Sequence, residues 1–332
     1  MTRPSLQPTL GDLLDGLRVV SIPMRVRFRG VEHREAALIQ GPAGWGEFAP
    51  FLEYDPAEAS RWLAAAIEAA FVGWPEARRS TVPVNATVPA VSAAEVAPIV
   101  ARFDGCTTAK VKVAEPGQSL ADDLARVAAT RDVLGASGRI RIDANGGWSV
   151  ADAVDAVSAL SRHGLEYVEQ PCASVEELRD VRMALARKGI DVSVAADESV
   201  RKAEDPIRVA RLGAADLVIV KVAPLGGVAR ALEIVQDCGL PAVVSSALDT
   251  SVGIAAGVAL AAALPDLPHA CGLGTVSLLG GDVTRHSLRP RGGVLPIGSV
   301  DVDDALVEQW AAPVERVAWW RERVAAAHAL LR

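Results

Sequence analysis

Cysteine is scarce in this sequence, with four in 332 residues. Cys106, Cys172, Cys238 and Cys271 are scattered, with no metal-type spacing and no dense framework. A disulfide scaffold is therefore excluded, and reduced thiols in a cytoplasmic protein are the simple reading. Basic residues are the minority charge: 34 Lys and Arg against 41 Asp and Glu leave a formal net charge of -7. No basic tail or stripe offsets that balance, which argues against a nucleic-acid partner. Residues 1–17 hold no charged segment followed by an apolar run and a small-residue cleavage site, so no secretory signal is read there. The longest apolar run, residues 252–264, is rich in Ala and Gly and too short to span a bilayer, and no membrane partner is expected. A Gly-x-Gly-x-x-Gly motif after a first strand is also missing, which weakens a dinucleotide-binding reading.

What is present is ordinary globular composition, 50% apolar and 23% charged. The chain is long enough for a large core, as two domains or one barrel with additions. Residues 1 to about 85 read as an α+β region of their own. Strands are expected over 19–28 and 35–39, a turn over 41–44 and an Ala-rich helix over 56–70. Arg25, Arg27 and Arg29 alternate with Val26 and Phe28, so they share one face, either solvated or anion-binding.

From residue 82 the pattern changes to alternating strand and helix. Strands are expected over 82–88, 107–113, 140–143, 167–169, 192–195, 217–220, 242–245 and 269–271, each of the first seven followed by a helical segment. Short Val- and Ile-rich strands joined by helices predict a parallel sheet buried on both faces. Seven or eight such units suit a closed barrel better than an open sheet. Beyond Gly280 the rhythm stops, and residues 304–331 read as an amphipathic helix interrupted at Pro313. Trp310, Trp319 and Trp320 are expected to pack on the N-terminal region, because the polar side lacks the lysine excess of a membrane-surface helix.

Charged groups recur at the strand ends: Lys110 and Lys112, Asp143, Glu169, Asp197 with Glu198, and Lys221, spaced about 24–31 positions apart from Lys112 onward. At the mouth of a parallel barrel these side chains converge. Asp143, Glu169 and Asp197 would repel one another unless a cation joins them, and oxygen-only ligands select Mg²⁺ or Mn²⁺. Taken singly, Asp143 or Asp197 could merely cap the next helix. Lys110 and Lys112 alternate with Ala109, Val111 and Val113, so both point into the barrel, and Lys221 enters from the opposite side. A lysine flanked by other cations and partly desolvated has a lowered pKa and can act as a base. Metal plus lysine is a device for removing a proton α to a carboxylate, which makes a small carboxylate the expected substrate.

The Lys-x-Lys, Asp-x-Asn, Glu-Gln-Pro, Asp-Glu and Lys series resembles the enolase superfamily, in its muconate-lactonising branch. Residues 23–31 and 44–54 are similar to the o-succinylbenzoate synthases of that branch, in particular the actinobacterial type. The resemblance implies a (β/α)7β modified TIM barrel over residues 86–284 and an α+β capping domain over 1–85, completed by 285–332. It implies that Asp143, Glu169 and Asp197 hold Mg²⁺. Lys112 would then be the acid/base that takes the α-proton and Lys221 the cation on the opposite face. Lys110, Asn145 and Glu198 become supporting residues, Ser245 and Ser246 border the substrate, and residues 25–30 and 48–54 form mobile capping loops. The implied reaction is the syn dehydration of a cyclohexadiene carboxylate. N-succinylamino acid racemisation or cycloisomerisation would use the same residues. Dipeptide epimerases usually carry an Asp-x-Asp at the last strand, which Cys271-Gly272-Leu273 lacks. Two other classes stay open: a Schiff-base aldolase using Lys221, and a non-catalytic binding barrel.

Overall fold

The structure, a computed structural model, describes residues 8–28, 30–200 and 205–331. Arg29, one of the three alternating arginines, lies outside the described residues. After a short helix α1 (Leu10–Leu14), strands β1 (Arg18–Phe28), β2 (Val31–Gly41) and β3 (Gly44–Phe48) form an antiparallel sheet in that order. The β1–β2 ladder runs unbroken from Arg18↔Leu38 to Pro23↔His33, then shifts register before Phe28↔Val31. Pro23 has no amide proton to donate, so the break falls where the ladder loses a bond. Strand β3 starts at Gly44, the last residue of the turn expected over 41–44, and was not among the expected strands. Gly46 is needed because a Cβ there would stand 2.0 Å from the Ala66 carbonyl oxygen. Its absence lets helix α2 (Pro56–Ile67) lie directly on β3. Asp55 caps α2 by accepting from the Glu58 amide at 2.8 Å, with Pro56 in the first turn. The expected helix over 56–70 ends sooner as α-helix and continues as a wider turn, Glu68–Val72.

The expected strand over 82–88 divides in two. β4 (Thr81–Pro83) pairs antiparallel with β12 (Val294–Pro296), whereas β5 (Ala86–Val88) opens the barrel. There follow α3 (Ala93–Val100), β6 (Thr108–Lys112), α4 (Leu120–Leu134), β7 (Arg139–Asp143), α5 (Val150–Leu160), β8 (Leu165–Glu169) and α6 (Val175–Arg187). The alternation continues with β9 (Ser193–Ala196), α7 (Asp205–Arg211), β10 (Leu217–Val220), α8 (Val222–Leu225), α9 (Val228–Cys238), β11 (Ala242–Val244) and α10 (Ser251–Ala263). Strands β5 to β11 pair in parallel in chain order as one curled seven-stranded sheet. Both edges meet one segment: Cys271 bridges Val84 before β5, and Gly272 bridges Ser245 after β11. The (β/α)7β architecture is the one expected.

Side-chain alternation divides the core into two shells. Val111, Ile142, Val168, Val194 and Val218 face the helices, in the main core cluster. Tyr167, Ala195, Leu217, Ile219 and Val243 fill the barrel interior. Arg141, wholly buried, stacks over Tyr167 at 4.8 Å and pairs with Glu166 at 2.6 Å. Helices α11 (Asp304–Gln309) and α12 (Val314–His328) return to the N-terminal sheet. There Trp320 meets Phe48 edge-on at 5.7 Å, and its indole N–H donates to Glu35 at 2.7 Å. The tryptophans pack as expected. Among the described residues no helix is long and apolar enough to cross a membrane.

Candidate active site

Five adjacent strands carry the charged residues to one rim. Lys110 and Lys112 lie on β6, Asp143 ends β7, Glu169 ends β8, Asp197 follows β9 and Lys221 follows β10. Parallel pairing puts all these strand ends on one face, so the side chains converge. Lys110 Nζ stands 2.7 Å from Glu169 Oε1 and 3.2 Å from Asp143 Oδ2. Lys112 donates to Asp143 and, at 2.7 Å, to Asn145 Oδ1, while Lys221 is paired with both oxygens of Asp197. Asn145 in turn reaches Glu198 at 3.4 Å.

The backbone at this rim is strained. Among the described residues, four non-glycines have left-handed φ: Ala114 (59°), Asn145 (47°), Gln170 (39°) and Leu248 (64°). All four follow the ends of barrel strands, and such strain persists only where neighbours hold it. Gln170 shows how. Its Oε1 accepts from the Asp197 and Ser199 amides at 2.9 and 3.2 Å, and its Nε2 donates to Cys172 O and Ser199 Oγ, both at 2.8 Å. The ends of β8 and β9 are thereby locked together.

Three carboxylates and three lysines share this buried rim. Burial, and then the charge of Asp143, push Glu169 up to about 8 against the pull of Lys110. Lys110, expected as a supporting residue and not as the base, is held as a firm cation. Burial lowers its pKa, but Glu169 and Asp143 outweigh burial and hold it above the ordinary lysine value. Glu169 Oε2 is buried without a hydrogen-bond partner among the described residues. Three carboxylates from neighbouring strands, one with an oxygen left unpartnered, are an oxygen-only set of the kind that fits a hard divalent cation. As they stand, no three acidic, histidine or cysteine side chains among the described residues form a cation cage, since lysines intervene between the acids.

Lys110, Lys112, Asp143, Asp197 and Lys221 open onto a cavity also lined by Phe28, Phe51, Tyr54, Trp62, Ser245, Ser246, Leu248, Gly272 and Thr275, with Glu169 buried behind them. Lys112 Nζ lies 5.2 Å from the centre of the Phe28 ring. Ser246 Oγ bonds Gly272 O at 2.8 Å and Thr275 Oγ1 at 2.7 Å, so its hydroxyl braces the wall, and Ser245 stands beside it. Arg25 donates to Leu279 O at 2.8 Å, a structural bond in place of an anion contact.

Residues 92–300 match the family model described as enolase C-terminal domain-like, and residues 19–70 the one described as enolase N-terminal domain-like. The chain is 58% identical to the o-succinylbenzoate synthase of Mycolicibacterium smegmatis over 325 residues, 98% of either chain. It is 59% identical to the o-succinylbenzoate synthase of Thermobifida fusca over 313 residues, 94% of this chain and 96% of that relative. The chain belongs to the o-succinylbenzoate synthase family of the enolase superfamily. Among solved structures it resembles the muconate lactonizing enzyme of Pseudomonas fluorescens, with TM-score 0.77 and 20% identity over 89% of this chain and 98% of that one. It likewise resembles the L-Ala-D/L-Glu epimerase of Bacillus subtilis, with TM-score 0.72 and 23% identity over 86% and 96%. At those identities the likeness is one of fold.

For a member of the o-succinylbenzoate synthase family, several cavity residues escaped the sequence reading. Thr87 and Trp62 are buried, line the cavity, and carry a hydroxyl and an indole N–H with no hydrogen-bond partner among the described residues. Thr87 could have been found by its register, since it pairs with Lys110 across β5 and β6. Glu47 also escaped. From β3 it accepts the Thr250 and Gly253 amides, both at 3.1 Å, at the N-terminus of α10. Burial, and then the charge of Asp249, push Glu47 up to about 8 from 4.5. Between those values the folded chain holds a proton that the unfolded chain has released, so this group's contribution makes stability fall as pH rises through that window. Glu47→Gln is expected to flatten the fall; melting curves taken from pH 5 to 9 check it, and an unchanged slope would refute it.

Proposed function

We propose that this chain dehydrates 2-succinyl-6-hydroxy-2,4-cyclohexadiene-1-carboxylate to 2-succinylbenzoate, in the cytoplasm, as a step of menaquinone biosynthesis. The observation that carries the reading is the pair of lysines reaching one cavity from either side of three carboxylates, on β6 and after β10. The full-length similarity to named synthases supports this choice of substrate.

Asp143, Glu169 and Asp197 would hold Mg²⁺, with Mn²⁺ a substitute. When bound, the ion supplies fixed positive charge beside the substrate carboxylate as the adjoining carbon loses its proton. Lys112, as the neutral amine, takes the proton from the ring carbon that bears the carboxylate. For that it must be released from Asp143, its partner in the free chain. The resulting ammonium then gives its proton to the hydroxyl on the adjacent carbon. That C–O bond breaks, water leaves and the ring becomes aromatic. One group on one face serves both transfers, which gives syn elimination. Lys221 faces the other side of the planar intermediate as a cation. Phe28, Phe51 and Tyr54 wall the cavity and help exclude water.

The testing experiment follows turnover of the cyclohexadiene carboxylate with and without chelator, beside a panel of N-succinylamino acids. Metal-dependent dehydration is expected. Racemisation of the panel without dehydration would overturn the assignment in favour of a second reading, which Lys112 and Lys221 also suit because two bases on opposite faces can invert a centre. Thr87 offers a separate check. Its hydroxyl, unpartnered among the described residues, is read as a donor to a substrate oxygen, so Thr87→Val is expected to raise KM by about 10- to 100-fold. The melting temperature should not fall, because no bond is lost in the free protein. A lower melting temperature with unchanged KM would contradict this role.

A further inference from the structure

Arg34, on β2, is a buried guanidinium that touches two separate segments beside the cavity. Its Nε donates to Leu248 O at 3.2 Å, its Nη2 donates to Ala49 O, and its Cζ lies 4.8 Å from the centre of the Phe51 ring. Leu248 belongs to the connection between β11 and α10, while Ala49 and Phe51 belong to the segment after β3. Leu248 and Phe51 both line the cavity. Leu248 is also one of the four strained non-glycines, at φ 64°. A branched side chain in the left-handed region needs something outside the loop to hold it. The bond from Arg34 falls on that residue's own carbonyl.

The surroundings keep the guanidinium in place. Burial lowers its pKa, and the charges of Asp249 and Glu47, with lesser help from Glu53 and Tyr54, oppose that. Glu47 is tied to the first turn of α10, and Asp249 Oδ2 accepts the Ala247 amide at 3.0 Å. On the other side, Arg323 of α12 donates to Phe51 O at 2.6 Å and to Tyr54 O at 2.9 Å. The segment from Ala49 to Tyr54 is thus gripped by two arginines, and only Arg34 also reaches the barrel loop.

We propose that Arg34 is a positioning residue that sets substrate specificity. By holding the Leu248 backbone and the Phe51 ring in fixed relation, it fixes the apolar wall against which the non-reacting part of the substrate lies. It touches none of the reacting atoms. The inference rests on reading this cavity as the active site.

Arg34→Lys tests it while keeping a cation for Glu47 and Asp249. A lysine has no planar fork, so it cannot serve both carbonyls and stack on Phe51. KM is expected to rise about tenfold or more with kcat nearly unchanged, and discrimination against N-succinylamino acids to relax. A merely structural residue would lower the melting temperature and the active fraction without moving KM. Leu248→Gly supplies the second arm, because glycine adopts φ 64° without help. The double variant is expected to cost less in KM than the two single effects multiplied. Unchanged KM in Arg34→Lys, or strictly multiplicative effects in the cycle, would overturn the proposal. If Arg34→Lys does not fold, Arg34→Gln with Glu47→Gln removes one cation and one buried acid together and is read in the same way. If the unaltered enzyme turns over none of these substrates, the reading of the cavity fails separately. The crystal structure of Arg34→Lys then decides: Leu248 leaving the left-handed region supports the inference, and Leu248 and Phe51 staying in place overturns it.

Discussion

Lys112→Ala is expected to lower turnover of the cyclohexadiene carboxylate by at least about a thousandfold, because in the proposed mechanism the one amine would both remove and return the proton. The fold should survive. Asp143 keeps Lys110 at 3.2 Å and the Asn145 amide at 3.0 Å, so losing the second lysine does not strand a buried charge. Mg²⁺ affinity should be retained or improved, since Lys112 competes for an Asp143 oxygen. Calorimetric Mg²⁺ titration beside a turnover assay checks both halves. Retained turnover would dismiss Lys112 as the base.

The second large effect separates stability from activity at a single atom. Glu169→Gln replaces one oxygen of a carboxyl group that burial and Asp143 push up to about 8 when no metal is bound. At neutral pH the amide therefore imitates the protonated acid, and its carbonyl can still accept from Lys110. The metal-free melting temperature is expected to stay level or rise. Turnover is expected to fall by about a thousandfold or more, because an amide donates no negative charge to a divalent ion, and chelator should produce the same loss in the unaltered enzyme. The sign of the pH effect follows. With its pKa raised on folding, Glu169 contributes a loss of stability as pH rises from 4.5 to about 8. Saturating Mg²⁺ should remove that contribution, as should the substitution. A large drop in melting temperature with activity intact would contradict the assignment of Glu169 as a ligand.

Much of this arrangement was legible because strand periodicity and charge fall in step. Lys110 and Lys112 could be placed inside the barrel from Ala109, Val111 and Val113 alone, and the structure puts them there. What was not legible is set by contacts distant in sequence. Nothing local shows why Gly46 must lack a side chain until Ala66 is seen against it. Glu47 looks like a surface acid until the amides of Thr250 and Gly253, some two hundred positions on, are found around it. Arg34 is one charge among many in a polar stretch; only the fold brings Ala49 and Leu248 to its two sides. The strand over 82–88 divides because Pro83 pairs across to β12 while Ala86 turns into the barrel, a partnership that periodicity does not carry.

The closing segment of the barrel has a consequence for the kind of molecule the cavity accepts. A Cβ at Gly272 would stand 2.5 Å from Ser245 Oγ, so that point of the ring is held to a residue with no side chain. Around it lie Ser245, Ser246, Thr275 and Thr87, while the lysines and carboxylates that line the cavity belong to the arc from β6 to the end of β10. The cavity is therefore polarised like a socket, with charge on one semicircle and hydroxyls on the other. On the proposed function, a ligand would enter with its reacting carboxylate toward the lysines, and its far end would meet hydroxyl groups that can donate a proton but hold no fixed negative charge. A molecule with an ammonium group at that far end would find no counter-ion among the residues lining the cavity there, and the side of the ring that does no chemistry would then act as a filter.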